Sequence, residues 1–225
     1  MLIVLEGLDG AGKSTQLKMV TAYLATLGRE VKYLHFPRYD APLYGDLISK
    51  FLRGDFGSID QVHPNLVALL FAEDRHGAGA LIRSWLEEGF CVVLDRYVYS
   101  NIAFQCAKMP KEGAGQLRDW IINTEYGLFN IPRPDLNLFL DVPISFVDSR
   151  LKASREEDSD RDYLDGKSDI HEADINFQIR VRELYLEQCA LDSRFIRIDC
   201  SGPDGKMLQA QEIFDRIKEK IDFAL

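Results

Sequence analysis

Along the chain, short apolar runs alternate with longer stretches in which apolar positions recur every three or four residues. The short runs are Leu2–Glu6, Val31–Phe36, Phe90–Asp95, Leu136–Asp141 and Phe195–Asp199. Several are apolar at successive positions, the pattern of strands covered on both faces by helices. The longer stretches, about Lys13–Leu27, His63–Glu88, Ile144–Ser154, Glu172–Leu191 and Lys206–Phe223, read as helices. Such alternation predicts an α/β chain in three layers, with a five-stranded parallel sheet and right-handed crossovers. No fixed-period repeat or Pro/Ser-rich linker divides it, so residues 1–225 are expected to form one domain. The polar run Ser154–Asp162, leading to Gly166, interrupts the pattern. It reads either as a solvated loop or as a small mobile lid at about 150–170.

The first strand runs into Gly7-Leu8-Asp9-Gly10-Ala11-Gly12-Lys13-Ser14, a complete phosphate-loop pattern between a strand and an amphipathic helix. Its glycines permit backbone angles that let successive N–H groups converge on phosphate, and the helix N-terminus adds the positive end of its dipole. Lys13 is placed to reach the β- and γ-phosphates, and the Ser14 hydroxyl to ligate Mg²⁺. Residues Gly7 to Thr15 form the candidate ATP site. The third strand ends in Asp95-Arg96-Tyr97. A carboxylate at the carboxyl end of a neighbouring strand lies where the metal should, so Asp95 is a candidate metal residue and Arg96 a candidate second phosphate contact.

Charge narrows the partners. With 27 Lys+Arg against 36 Asp+Glu, the formal charge is −9, which disfavours a nucleic-acid binder needing a broad basic face. A locally cationic pocket for a small anion remains open. Cys91, Cys106, Cys189 and Cys200 form no C-x-x-C pair, which argues against a zinc or redox motif. No apolar run approaches the ~18 residues of a membrane span, and no basic-then-apolar signal opens the chain, so a reduced cytoplasmic setting is expected.

Longer matches now become informative. Leu5–Gln16, Phe36-Pro37-Arg38, Leu70–Arg75, Asp95–Gln105, Pro134–Leu136 and Leu138–Asp141, in this order, make the sequence resemble the thymidylate kinases, phosphate-loop enzymes that convert dTMP and ATP to dTDP and ADP. The resemblance implies Mg²⁺ as cofactor, ATP and dTMP as small-molecule partners, no nucleic-acid or membrane partner, and a homodimer. Arg38 and Arg96 would bind the monophosphate, Phe71 would stack on thymine, and Arg75 would donate to its carbonyl edge. Ser100 and Gln105 would face the base, and Asp9 the sugar 3′-hydroxyl. Phe71 and Arg75 are four apart and share a helix face. Their residue types leave alternatives: Phe71 as core, Ser100 as a helix cap, Gln105 as an exposed polar residue. A buried Arg75 requires an acceptor. Glu6 reads as a structural acceptor beneath the loop or as part of the metal's outer shell.

The loop position at which some members carry a catalytic arginine is Gly10 here, so the chain resembles the branch with that arginine in the lid. Arg155 and Arg161 are the candidates, Arg150 the residue against adenine, and Asp199–Pro203 a turn contacting adenine through its backbone. The competing functions are another nucleoside monophosphate kinase and a nucleotide switch without an acceptor. The guanine-reading N-K-x-D string is absent.

Overall fold

A computed structural model describes residues 1–59, 61–154, 164–165, 169, 171 and 174–225. Its centre is a parallel sheet of β1 (Leu2–Gly7), β2 (Val31–His35), β3 (Cys91–Asp95), β4 (Leu136–Asp141) and β5 (Phe195–Asp199), in the order β2-β3-β1-β4-β5. The three inner strands are buried at every position, as their continuous apolar runs require when helices cover both faces. β1 pairs with β3 from Leu2↔Val92 to Leu5↔Asp95, and with β4 from Ile3↔Leu136 to Gly7↔Leu140. That register puts Gly7, Asp95 and Asp141 at one carboxyl edge. The chain order also reverses about β1, the crevice where open α/β sheets bind ligands.

The helices are α1 (Lys13–Thr26), α2 (Tyr44–Leu52), α3 (Pro64–Glu87), α4 (Val98–Cys106), α5 (Lys111–Ile122), α6 (Ile144–Ser154), α7 (Ile175–Leu191) and α8 (Ala210–Ala224). A π-helical turn, Asn123–Leu128, follows α5. The main core joins the inner strands to α1, α4, α7 and α8, while Ile48, Phe51, Leu52 and Val67 form a smaller cluster under the site. Caps explain several boundaries. His63 accepts from the Asn65 N–H before a proline at the first turn of α3, where a missing N–H costs nothing. Asp174 caps α7 by accepting from Asn176, so that helix starts three residues later than the Glu172 expected from periodicity. Gln209 and Glu212 form a reciprocal box that starts α8 at Ala210 rather than Lys206. The four cysteines are free, and three are buried.

Candidate active site

The turn after β1 follows from its glycines. Gly10 and Gly12 take φ of 71° and 79°, angles open to glycine at little cost. At Gly10 a Cβ would also lie 3.0 Å from Cβ of Arg150, so α6 closes over the loop where an arginine-bearing loop would need room. Lys13 opens α1, and its ammonium donates to the Leu8 carbonyl at 3.1 Å and the Gly7 carbonyl at 3.5 Å. Burial lowers its pKa, with Arg96 acting in the same direction against Asp95, Asp9 and Glu6.

The turn after β3 is built by Glu6. This carboxylate is fully buried and accepts from the Tyr97 N–H at 2.9 Å, the Ser100 N–H at 3.1 Å, the Ser100 hydroxyl, and the Tyr185 hydroxyl at 3.2 Å. Burial raises its pKa despite these donors. Glu6 is therefore the structural acceptor beneath the loop, the first of its two readings. Its grip fixes Arg96 at φ 64°, a left-handed conformation that costs a non-glycine residue about 1 kcal/mol or more. The strained turn aims Asp95 and Arg96 at one place.

Arg96 donates to the Gly7 carbonyl at 2.8 Å and the Ser100 hydroxyl at 3.2 Å, and pairs with Asp9. Burial opposes its charge, but Asp9, Asp95 and Glu6 outweigh it and hold its pKa above the ordinary value. Asp95 is buried, with His35 at 3.4 Å. Burial there is outweighed by Lys13, His35 and Arg96, which pull the Asp95 pKa down.

Asp9, Lys13, Ser14, Phe71, Arg75, Asp95, Arg96, Ser100 and Gln105 line one cavity of about 510 Å³, well within the range of small-molecule sites. The expected residues that form its walls come from the phosphate loop, α1, α3, β3 and α4. Phe71 meets Phe51 edge-on at 6.5 Å, so it is packed and wall-forming at once. Arg75 is 2% exposed and finds its required acceptor in Glu125, which takes both Nε and Nη2, the latter at 2.7 Å. Gln105 is 1% exposed, which removes its reading as a surface residue. Ser100 lies in the first turn of α4 within the Glu6 network rather than as its cap.

Other expected residues stand apart. Arg38 is not among the cavity walls, although Pro37 and Tyr39 are. Its backbone N–H and Nε each bond Asp74 at 2.9 Å, and its Nη2 bonds the Asp74 carbonyl at 2.7 Å. Thr15 and Arg150 are exposed, with Arg150 against Gly10. Arg155 and Arg161 lie outside the described residues.

Sequence reasoning missed His35, Tyr39, Asn101, Phe104, Asp169 and His171 on the cavity wall. His171 is the most consequential. Its ring sits 5.3 to 5.6 Å from those of Phe104, Phe51 and Phe177, and its Nε2 is buried without a partner among the described residues. Burial pushes its pKa well below the ordinary value, helped by Lys108 and Arg96. In the unfolded chain an ordinary imidazole takes up a proton below about pH 6.5, while the folded one stays neutral. The unfolded state then binds more protons, so stability falls as pH drops through that value. Urea melts from neutral to mildly acid pH should show wild type losing up to about 1.4 kcal/mol per pH unit more than His171→Phe. Identical pH slopes would mean that His171 titrates normally in the fold.

A family model described as thymidylate kinase matches residues 5–219. A thymidylate kinase of Mycobacterium tuberculosis is 33% identical over 191 residues, covering 84% of this chain and 86% of that one. A probable thymidylate kinase of Thermococcus kodakarensis is 34% identical over 226 residues, covering 98% and 95%. A solved thymidylate kinase structure from Candida albicans superposes with a TM-score of 0.75 at 26% identity, covering 99% of this chain and 91% of that one.

Proposed function

The chain belongs to the thymidylate kinase family and phosphorylates dTMP, and on that premise we propose how its residues divide the reaction. ATP is the proposed donor, its phosphates held by the backbone amides of Leu8–Gly12, the start of α1 and Lys13. Ser14 and Asp95 are the proposed Mg²⁺ residues. Asp95 Oδ1 is buried without a hydrogen-bond partner among the described residues, and Ser14 stands exposed in the first turn of α1. Both offer the hard oxygen that Mg²⁺ prefers, and this ion takes few protein ligands when phosphates supply the rest. When bound, the ion neutralises charge developing on the phosphates.

At the other end of the cavity, Phe71 is proposed to stack on thymine and Arg75, held flat by Glu125, to donate to its carbonyl edge. Gln105 and Ser100 complete that wall, and Asp9 takes the sugar 3′-hydroxyl. Arg96 receives the monophosphate. Arg38 would join it only by exchanging part of its Asp74 pairing. The attacking atom is an oxygen of the dTMP phosphate, whose second pKa of about 6 leaves it mostly dianionic at neutral pH. No general base is needed. The chain's task is to hold two mutually repelling phosphates in line and to neutralise the group in transit.

The observation that carries this reading is the continuity of one cavity from Lys13, Ser14 and Asp95 to Phe71, Arg75 and Gln105. The test follows ADP release with ATP and Mg²⁺, with and without dTMP. Release that depends on dTMP and yields dTDP is expected. ATP hydrolysis indifferent to dTMP would replace the transferase reading with that of a nucleotide switch.

The chain works as one domain with a lid at about 150–170, from which Arg155 or Arg161 reaches the transferred phosphoryl group. Arg150 and the Asp199–Pro203 turn face adenine. Leu66, Leu69, Gly77, Ala80 and Leu81 are exposed on α3 and fall on one side of the helix at 3.6 residues per turn, a small and apolar stripe suited to a second copy of the chain. Light scattering reads that homodimer directly. No helix among the described residues is long and apolar enough to cross a membrane, and the proposed location is cytoplasmic.

A further inference from the structure

A carboxylate inside a phosphate loop repels the ligand, and the structure accounts for both oxygens of Asp9. Oδ1 pairs with Arg96. Oδ2 accepts from Gln178 Nε2 at 3.3 Å. Gln178 belongs to α7, is fully buried, and donates from the same nitrogen to the His171 carbonyl at 2.9 Å. One amide thus joins the phosphate loop, α7 and the cavity-wall residue His171. The helix bearing it is well anchored. Arg182 forks onto Asp141 at 2.6 and 3.1 Å, and the Tyr185 hydroxyl reaches Glu6 at 3.2 Å. Residues at i, i+4 and i+7 share a helix face, so α7 meets three carboxylates along the edge of the sheet.

Once dTMP is bound, Arg96 has two anionic claimants, Asp9 and the monophosphate. We propose that Gln178 is a positioning residue that holds Asp9 back and so frees Arg96 for the monophosphate. As Arg96 turns to the phosphate, Asp9 gives up the partner of Oδ1. Among the described residues, Gln178 is then its remaining side-chain partner. An amide suits the task. It donates to a partly buried carboxylate, a charge-assisted bond, yet adds no cation to compete for the phosphate. The inference rests on the reading of Arg96 as the monophosphate ligand.

Gln178→Met keeps the length of the side chain and removes the donor. Steady-state kinetics should then show KM for dTMP rising about tenfold, with kcat and KM for ATP within about twofold of wild type. In an Asp9→Asn background the competing charge is gone, so the same change should raise KM by less than about twofold. An unchanged KM in Gln178→Met, or an equal rise in both backgrounds, overturns the inference. Arg96→Ala separates the two levels. A wild-type KM for dTMP in that variant removes the reading of Arg96 and the inference with it. A raised KM there, without one in Gln178→Met, removes the inference alone. Should Gln178→Met fail to fold by circular dichroism, Gln178→Glu serves instead. Two facing carboxylates would give a KM defect, measured against wild type at each pH, that is relieved by acid as one of them gains a proton and becomes a donor. A defect independent of pH overturns the proposal.

Discussion

Lys13→Met should lower kcat for dTMP phosphorylation by about three orders of magnitude or more while leaving KM for dTMP within a few-fold of wild type. The ammonium is held between the carbonyls of Leu8 and Gly7, at the mouth shared with Ser14 and Asp95. It is the cation that the phosphate loop brings to the transferred group, whereas the walls proposed for dTMP are Phe71, Arg75 and Arg96. Losing a charge that acts on the group in transit costs kcat more than ground-state binding. Lys13→Arg should restore little, because a planar guanidinium cannot occupy the place of a compact ammonium against two backbone carbonyls. Folding should not suffer. Burial already opposes the charge of Lys13, so thermal melts of Lys13→Met are expected at or slightly above the wild-type midpoint. The decisive measurement is single-turnover formation of dTDP, and a rate within tenfold of wild type would remove Lys13 from catalysis.

The sequence disclosed most where local rules are strict. The phosphate loop needs its glycines at fixed offsets, and the strands are continuous apolar runs, so β1, β3 and β4 were legible almost to the residue. Helices whose burial erases periodicity were not. Every residue of Val98–Cys106 is buried, which leaves no polar face to mark a helix, and that helix carries Ser100 and Gln105. Tyr44–Leu52 is only nine residues long, and the π-turn at Asn123–Leu128 has no sequence signature, though it brings Glu125 beneath Arg75.

The site followed the same division. A buried Arg75 demands an acceptor on chemical grounds alone, but which carboxylate, 50 residues away, is a fact of tertiary structure. Arg38 shows the reverse. The motif predicted its phosphate role, while its pairing with Asp74 across 36 residues was not legible. His171 and Asp169 lie beyond the acidic run, in a stretch with neither periodicity nor a motif to point to them. Glu6 was visible as an anomaly, a charge at the end of an apolar strand, and the fold resolves it as the anchor of the neighbouring turn.

Loss of Arg96 should damage binding and turnover of dTMP together. Arg96→Ala is expected to lower kcat/KM for dTMP by about two to three orders of magnitude, with KM rising and kcat falling together. Three consequences act at once. The monophosphate loses its proposed ligand. Asp9 loses the guanidinium paired with it, leaving a carboxylate that repels the incoming phosphate across a few Å of partly desolvated space. The Ser100 hydroxyl and the Gly7 carbonyl lose a donor, which loosens the wall between phosphate and base. Arg96→Lys should recover less than about a tenth of the lost kcat/KM, since one ammonium cannot serve Gly7, Asp9 and a phosphate with fork geometry. Adding Asp9→Asn to Arg96→Ala removes the repulsion, so the double variant should be more active toward dTMP than Arg96→Ala alone, a non-additivity expected of contacting charges. A double variant weaker than Arg96→Ala would show that Asp9 contributes more through its own contact with the nucleotide than it costs as an unpaired charge.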